Sequence, residues 1–362
     1  MSRATQAVIN LSQLKDNYLF ANQCAPKSKN MAIIKADAYG HGLIEVAQAL
    51  AAEAPAFGVA IIDEAINLRE AGIDRPILIL QGVITKQELC YASENNLWIV
   101  IHDLSQLNTL LENPQKQPLN VWLKIETGMN RLGINESEFH YALNKLKSCS
   151  WVGDDIVLSS HFSCADELEN AQTEQQFERF NKLINESAKK HSLSAANSSA
   201  LVRSLDYCLD WNRPGILLYG LPLFDQVHSS DESLKAVMTF ESSISSLREI
   251  QKGEAVGYGR KWIAQRKTIV ATVGVGYADG YPRQAKNGTP VFIKGKIALL
   301  VGTVSMDLIT IDVTDISDVK IGDVVELWGE NICANTVAKS AGTIGYDLVA
   351  GVTARVPRVY QS

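Results

Sequence analysis

PILILQGVITKQELCYASENNLWIVI, residues 76–101, holds one complete strand–helix–strand unit. PILIL (76–80) and LWIVI (97–101) are short and almost wholly apolar, as strands buried on both faces are. TKQELCYASENN between them mixes apolar and polar residues as a helix covering a sheet does. The unit recurs on both sides. Further apolar runs stand at MAIIKA (31–36), AFGVAI (56–61), VWLKIE (121–126), IVLSSHF (156–162), LSAAN (193–197) and PGILLY (214–219), making eight in all. IEVAQALAAE, DEAINLREAG, SQLNTLLEN, SEFHYALNKLKS and ENAQTEQQFERFNKLINESAKK separate them as helices, and Gly72 ends one where a capping glycine belongs. The last link, SSALVRSLDYCLDW, is the least clearly helical. Eight such units predict an α/β fold, a (β/α)8 TIM-type barrel. A doubly wound open sheet is the second reading, because alternation alone does not separate the two. AVINL (7–11) precedes the first unit and is read as a strand with its partner elsewhere.

The texture changes after the polar segment DQVHSSDES (225–233). VMTFESSISSL, TIVATVGVGYA, TPVFIKGKIALLVGTV, LITIDV and DVVELWG are β-branched runs punctuated by turns such as Asn287-Gly288 and Lys294-Gly295. The expected division is a barrel over residues 1–232 and a mainly antiparallel β domain over 233–362.

Composition narrows the function classes. The 362 residues carry 34 Lys+Arg against 40 Asp+Glu, a net charge of −6, so there is no basic stripe for nucleic acid. No window approaches the roughly 18 apolar residues of a membrane helix. The first residues lack the layout of a secretory signal. Six scattered cysteines with no C-x-x-C pair fit reduced thiols rather than a disulfide frame or a metal cluster. A cytoplasmic protein without a bound metal is expected.

Chemistry in a parallel barrel gathers at the C-terminal ends of the strands. Those ends carry Lys35, Lys124 with Arg131 beyond it, His161, the trio Asn197, Ser198 and Ser199, and Asn212-Arg213. Any one of these is commonly a snorkelling or satisfied side chain; their recurrence at equivalent places points to a site. Lys35 follows an apolar strand, where desolvation lowers an amine's pKa and frees it as nucleophile or base. Tyr39-Gly40-His41-Gly42 opens a helix, and Asn212-Arg213-Pro214-Gly215-Ile216 is a second glycine-bearing turn; both suit a phosphate. A lysine beside a phosphate cradle fits a Schiff-base aldolase or a pyridoxal phosphate enzyme. In the β domain, Tyr258, Tyr277, Asp279, Arg283, Met306 and Asp307 sit in glycine-flanked islands that the pattern alone does not explain.

The segments IIKADAYGHG, LKIETGMNRLGI, SSHFSCAD, AANSSA, NRPGILLYG, VGYGRKW, VGYADGYPR, VGTVSMDLITID, TIGYDL and ARVPR, in this order along the whole chain, resemble the alanine racemase family of fold-type III pyridoxal phosphate enzymes. The resemblance implies interconversion of L- and D-alanine. Lys35 matches the lysine that binds the cofactor and serves as base on the D-alanine side. Tyr258 matches the base on the L-alanine side, supplied by the partner subunit of a homodimer. Arg213 matches the arginine facing the pyridine nitrogen, which keeps the ring a weak electron sink and favours racemisation. Tyr39, Ser198, the backbone of Gly215 and Ile216, and Tyr346 match the phosphate cradle; His161 and Asn197 match residues around the ring.

Arg131 matches the group at the substrate carboxylate and ring hydroxyl, and Met306 a partner-chain contact to that carboxylate. Tyr277 and Tyr346 match an inner gate, Asp166 and Arg283 an outer corridor, and Lys124 a lysine that many members carry as a carbamate. Asp37 stands where many members have Asn, and Thr303 where many have Arg. A decarboxylase of basic amino acids would share the barrel, but its C-terminal Cys-Glu/Asp-Ser signature is missing. A one-domain cofactor carrier would lack the β domain. A metal or nucleic-acid binding module has no ligand spacing or basic stripe to support it.

Overall fold

The structure, a computed structural model, describes residues 4–187 and 191–362. Residues 188–190, the end of one expected helix, lie outside the described residues. Strand β1 (Gln6–Asn10) runs into the helix Leu11–Cys24, capped by Asn10 Oδ1 accepting the Gln13 N–H at 3.0 Å. The first barrel strand follows in two pieces, β2 (Lys29–Asn30) and β3 (Ala32–Ile33). Next come β4 (Phe57–Val59), β5 (Ile77–Ile79), β6 (Leu97–Ile101), β7 (Val121–Lys124), β8 (Val157–Ser159) and β9 (Leu193–Ser194). From β3 to β9 they pair in parallel in chain order.

β10 (Trp211–Asn212) pairs in parallel with β2, and the Arg213 N–H donates to Ala196 O beyond β9 at 3.0 Å. The eighth strand therefore meets the first, and the curled sheet is a barrel rather than an open, doubly wound one. One expectation needs correcting: the eighth strand is not 214–219. Pro214 has no N–H for a ladder, and Ile216–Tyr219 coil into a 3-10 turn whose apolar residues pack under the helix Leu11–Cys24.

Side chains alternate along the strands. Ala32, Ile77, Ile79, Ile99 and Ile101 face the helices, while Ile33, Leu78, Val100, Trp122 and Trp211 face inward. Indoles fill the lumen: Trp98 meets Trp211 edge-on at 5.5 Å, Trp122 lies 5.9 Å from Trp211, and Lys29 Nζ sits 5.0 Å over the Trp211 ring. A packed lumen leaves a ligand only the barrel mouth.

The second domain begins with the thirteen-residue strand β11 (Met238–Ile250). A short hairpin, β12 (Ala255–Val256) and β13 (Trp262–Ile263), projects from it. β14 (Thr268–Val273), β15 (Pro290–Ile293), β16 (Lys296–Leu300), β17 (Ile309–Asp312) and β18 (Val324–Trp328) follow. In the order β14-β17-β16-β15-β18-β11, with β14 also paired to β11, they close an antiparallel ring. Lys294 and Gly295 both take positive φ in the β15–β16 turn, as a type I′ hairpin requires. β1 pairs antiparallel with β11 and parallel with β19 (Arg358–Gln361), so AVINL finds its partners in the second domain's sheet. The helices Ala334–Ala341 and Gly345–Ala350 lead back to the barrel mouth.

Candidate active site

The mouth of the barrel holds a cavity of about 650 Å³ lined by Lys35, Tyr39, Lys124, Arg131, His161, Asn197, Ser198, Arg213, Gly215, Ile216 and Tyr346. With Ser199, which also lines it, twelve of the residues singled out by sequence thus converge in one place. Tyr258, Met306, Tyr277, Arg283 and Asp166 are not among its lining.

Lys35 begins a turn that no local signal announced. Ala36, Asp37, Ala38 and Tyr39 all take left-handed φ between 52° and 54°. That region costs a non-glycine residue roughly 1–2 kcal/mol, so the turn persists only where surrounding groups hold it. Gly40 then passes so close to the helix Gly345–Ala350 that a Cβ would meet Val349 O at 2.1 Å. Asp37 Oδ1 accepts the Leu43 N–H at 2.8 Å. An asparagine carbonyl would do the same, so this departure from the family pattern leaves the turn intact. Burial, then the nearby Arg131, lowers the Lys35 pKa, while Glu64 opposes them.

The two glycine-bearing turns meet. Ser198 opens the helix Ser198–Arg203, and its Oγ accepts the N–H groups of Gly215 at 2.8 Å and Leu217 at 3.3 Å. With its acceptor capacity used, the Ser198 hydroxyl proton is left to donate. The Tyr39 hydroxyl lies beside Gly215, and its ring packs on Tyr219 at 4.8 Å and Tyr346 at 6.2 Å. The Gly215 N–H is committed to Ser198 Oγ, and its missing side chain leaves room for the Tyr39 hydroxyl.

Arg213 is buried and donates to Ser194 Oγ and to the carbonyls of Ser160 and Ala195; His161 Nδ1 lies 3.5 Å away. Burial lowers its pKa to about 10, so it stays cationic at neutral pH. Burial and the cations Arg213, Lys124, Arg131 and Lys35 push His161 well below the usual imidazole value, leaving it neutral. Lys124 falls to about 8, through burial first and then Arg213 and Arg131. Arg131 rides on a loop whose Gly128 N–H donates to the Glu126 carboxylate, and Gly133 (φ 145°) packs against the Glu126 backbone.

Sequence reasoning passed over several residues that build this site. Trp122 floors the cavity; Tyr219 backs Tyr39 and donates to Ile33 O at 3.1 Å. Glu126 shapes the Arg131 loop, and Glu64 takes the Ala36 N–H at 2.6 Å. Only a three-dimensional reading exposes these, except that an acid directly after a strand and before a basic loop, as in LKIETGMNR, is a signal for Glu126.

The β-domain residues cluster on the surface. Tyr258 is 71 % exposed and Met306 54 %. Tyr258 sits on a turn with left-handed Gly257, Gly259 and Arg260, and Thr303 Oγ1 donates to its carbonyl at 3.2 Å. Thr303, the second departure, therefore braces the Tyr258 turn. Tyr277 and Met306 share one patch, as the Tyr277 and Ala278 N–H groups donate to Ser305 O and Met306 O. Arg283 and Asp166 are exposed.

A lysine at the end of the first strand of a parallel barrel, a hydroxyl-lined phosphate cradle and a following β domain define a barrel-type pyridoxal phosphate enzyme. The cradle fits the phosphate, because a Cβ at residue 215 would fill it and its donors, Ser198 and Tyr39, surround that space. The alanine racemase N-terminal domain matches residues 9–222 and the C-terminal domain residues 237–360, and the chain belongs to the alanine racemase family. It is 44 % identical to the catabolic alanine racemase of Pseudomonas putida over 99 % of both chains. The crystal structure of the biosynthetic alanine racemase from Pseudomonas aeruginosa matches over all of both chains with a TM-score of 0.96 and 41 % identity. The alanine racemase of Bartonella henselae, solved with covalently bound pyridoxal phosphate, matches 99 % of this chain and all of its own with a TM-score of 0.90 and 27 % identity. Among the described residues no helix is long and apolar enough to cross a membrane.

Proposed function

We propose that this protein interconverts L- and D-alanine with pyridoxal phosphate, using Lys35 and Tyr258 as two opposed bases in a cytoplasmic homodimer. The observation that carries the reading is the placement of Lys35, the Ser198–Gly215–Tyr39 cradle and Arg131 around one cavity. When bound, the cofactor supplies the electron sink that makes the substrate Cα–H acidic. The cradle would hold its phosphate with Tyr39, Ser198, Ile216 and Tyr346, while His161 and Asn197 surround the ring.

The chain's own groups move the protons. Lys35 Nζ, its pKa lowered by burial, takes a proton on the D-alanine side and returns it there. Tyr258 Oη acts on the opposite side from a second copy of the chain, whose Met306 backbone joins Arg131 in holding the substrate carboxylate. Exposure of Tyr258 and Met306 in one chain supports this sharing, since neither reaches the cavity of its own barrel. Arg213 stays protonated and cannot accept a proton, and its charge would disfavour protonation of a ring nitrogen bound beside it. Lys124 is partly neutral at physiological pH, and its amine adds CO2 with loss of a proton; the resulting carbamate would steady Arg131. Tyr277 and Tyr346 restrict the pocket to a methyl-sized side chain, with Asp166 and Arg283 along the approach.

The similarity extends to both catabolic and biosynthetic enzymes, so D-alanine supply for peptidoglycan and alanine breakdown are both compatible with the site. The test is incubation with L-alanine in D2O. Loss of optical rotation with deuterium at Cα supports the reading, and Lys35→Ala abolishes both. Release of carbon dioxide would favour a decarboxylase, and binding without turnover a cofactor carrier.

A further inference from the structure

The turn that carries Lys35 is gripped at both ends by side chains from opposite parts of the fold. At its start, the Ala36 N–H donates to Glu64 Oε1 at 2.6 Å, while Glu64 Oε2 takes the Ala60 N–H at 2.7 Å. Glu64 belongs to the helix Ile62–Glu70, which follows β4. At its end, Gly40 O accepts Arg358 Nε at 3.1 Å. The rest of that guanidinium is spent on the carbonyls of Val352, Thr353 and Val356 at 2.7–2.9 Å. Arg358 begins β19, the outer strand of the second domain's sheet. Neither residue lines the cavity.

We infer that Glu64 and Arg358 are positioning residues that jointly hold the left-handed Ala36–Gly40 turn, and so fix the direction in which Lys35 enters the cavity. The physical case rests on the strain of that turn. Four consecutive left-handed non-glycine residues relax toward ordinary backbone unless both ends are fixed. Glu64 fixes the start to the barrel, and Arg358 fixes the end to the β domain. Charge-assisted bonds of this kind are the stronger class of hydrogen bond. Arg358 is matched to its place because a planar fork can address four carbonyls at once, which a lysine ammonium cannot.

This inference rests on the role proposed for Lys35, and its test separates the two. Hydrogen exchange is followed in the apoprotein at the amides of residues 36–43 for Arg358→Lys and Glu64→Gln. Each variant is expected to speed exchange there by about tenfold or more while leaving β5–β7 unchanged. The rate at which an amine-selective reagent labels Lys35 should change in step. In the cofactor-loaded enzyme, kcat should fall while KM for alanine stays within about twofold. Arg358→Lys keeps the charge, so a loss there is one of geometry. Glu64→Gln, on a separate element, keeps the test open if the arginine variant folds poorly. Unchanged exchange and labelling in both variants would overturn the inference. A Lys35→Ala protein that still racemises alanine would remove the role of Lys35, whatever the exchange shows.

Discussion

The Tyr39 hydroxyl occupies the space that a side chain at residue 215 would need: a Cβ on Gly215 would stand 2.6 Å from Tyr39 Oη. The two residues follow the first and last strands of the barrel, so strand closure brings the halves of the proposed phosphate cradle together. Gly215→Ala should therefore displace Tyr39 and weaken cofactor binding by about 10- to 100-fold, the roughly 1–3 kcal/mol of an overpacked site. Fluorescence titration of the apoprotein with pyridoxal phosphate measures this. An unchanged dissociation constant would argue against the cradle.

Lys124 gives a prediction in alkaline solution. Its native pKa is lowered to about 8, so the unfolded chain holds more protons than the native one between pH 8 and the ordinary lysine value. Apoprotein stability should rise with pH across that window, and Lys124→Met should flatten the rise. Urea denaturation at several pH values reads it. In the loaded enzyme, bicarbonate added to a CO2-free preparation should raise activity in the wild type and not in Lys124→Met.

Tyr258 is assigned to one face of the reaction, so its removal should act unevenly. Tyr258→Phe is expected to slow proton removal from L-alanine about 10²–10⁴-fold, the usual contribution of one acid–base group. Primary deuterium isotope effects should then become unequal in the two directions. Equal effects would count against the assignment.

His41 predicts acid sensitivity. It is buried against Tyr219 with Nδ1 near the Ala38 and Tyr39 carbonyls, and burial lowers its pKa to about 4. Between the ordinary imidazole value and pH 4 the unfolded chain takes up a proton that the native one refuses. Stability is therefore lost as pH falls through that window, by up to about 1.4 kcal/mol per pH unit per proton. His161 behaves in the same direction. His41→Asn should reduce proton uptake on unfolding near pH 5 by close to one, as calorimetry in buffers of different ionisation enthalpy can determine.

The barrel was legible because its strands are buried on both faces and so write themselves as apolar runs. The eighth strand was misplaced for the same reason: Ile216–Tyr219 is as apolar as a strand, but it is buried as a turn beneath a helix. Lys35, Arg131, His161 and Arg213 could be found by their places at strand ends. Glu64 and Arg358 could not, since the bond by which each reaches the lysine turn goes to backbone remote in sequence, and such bonds leave no pattern. The left-handed Ala36–Tyr39 turn was equally hidden, because alanine, aspartate and tyrosine do not announce positive φ. For Tyr258 and Met306 the residues alone showed only glycine-flanked islands; their proposed role came from the family resemblance.

β1 lies between β11 and β19, which places the whole barrel as an insertion between neighbouring strands of one sheet. During synthesis β1 leaves the ribosome before the barrel and must wait for it to pass before β11 can reach it. β19 follows later still, and Arg358 comes with it. The barrel can close around its indole-filled lumen earlier, but the far end of the lysine turn has no arginine to meet until β19 emerges. The turn that carries Lys35 is thus gripped by a strand made only after the barrel that holds it.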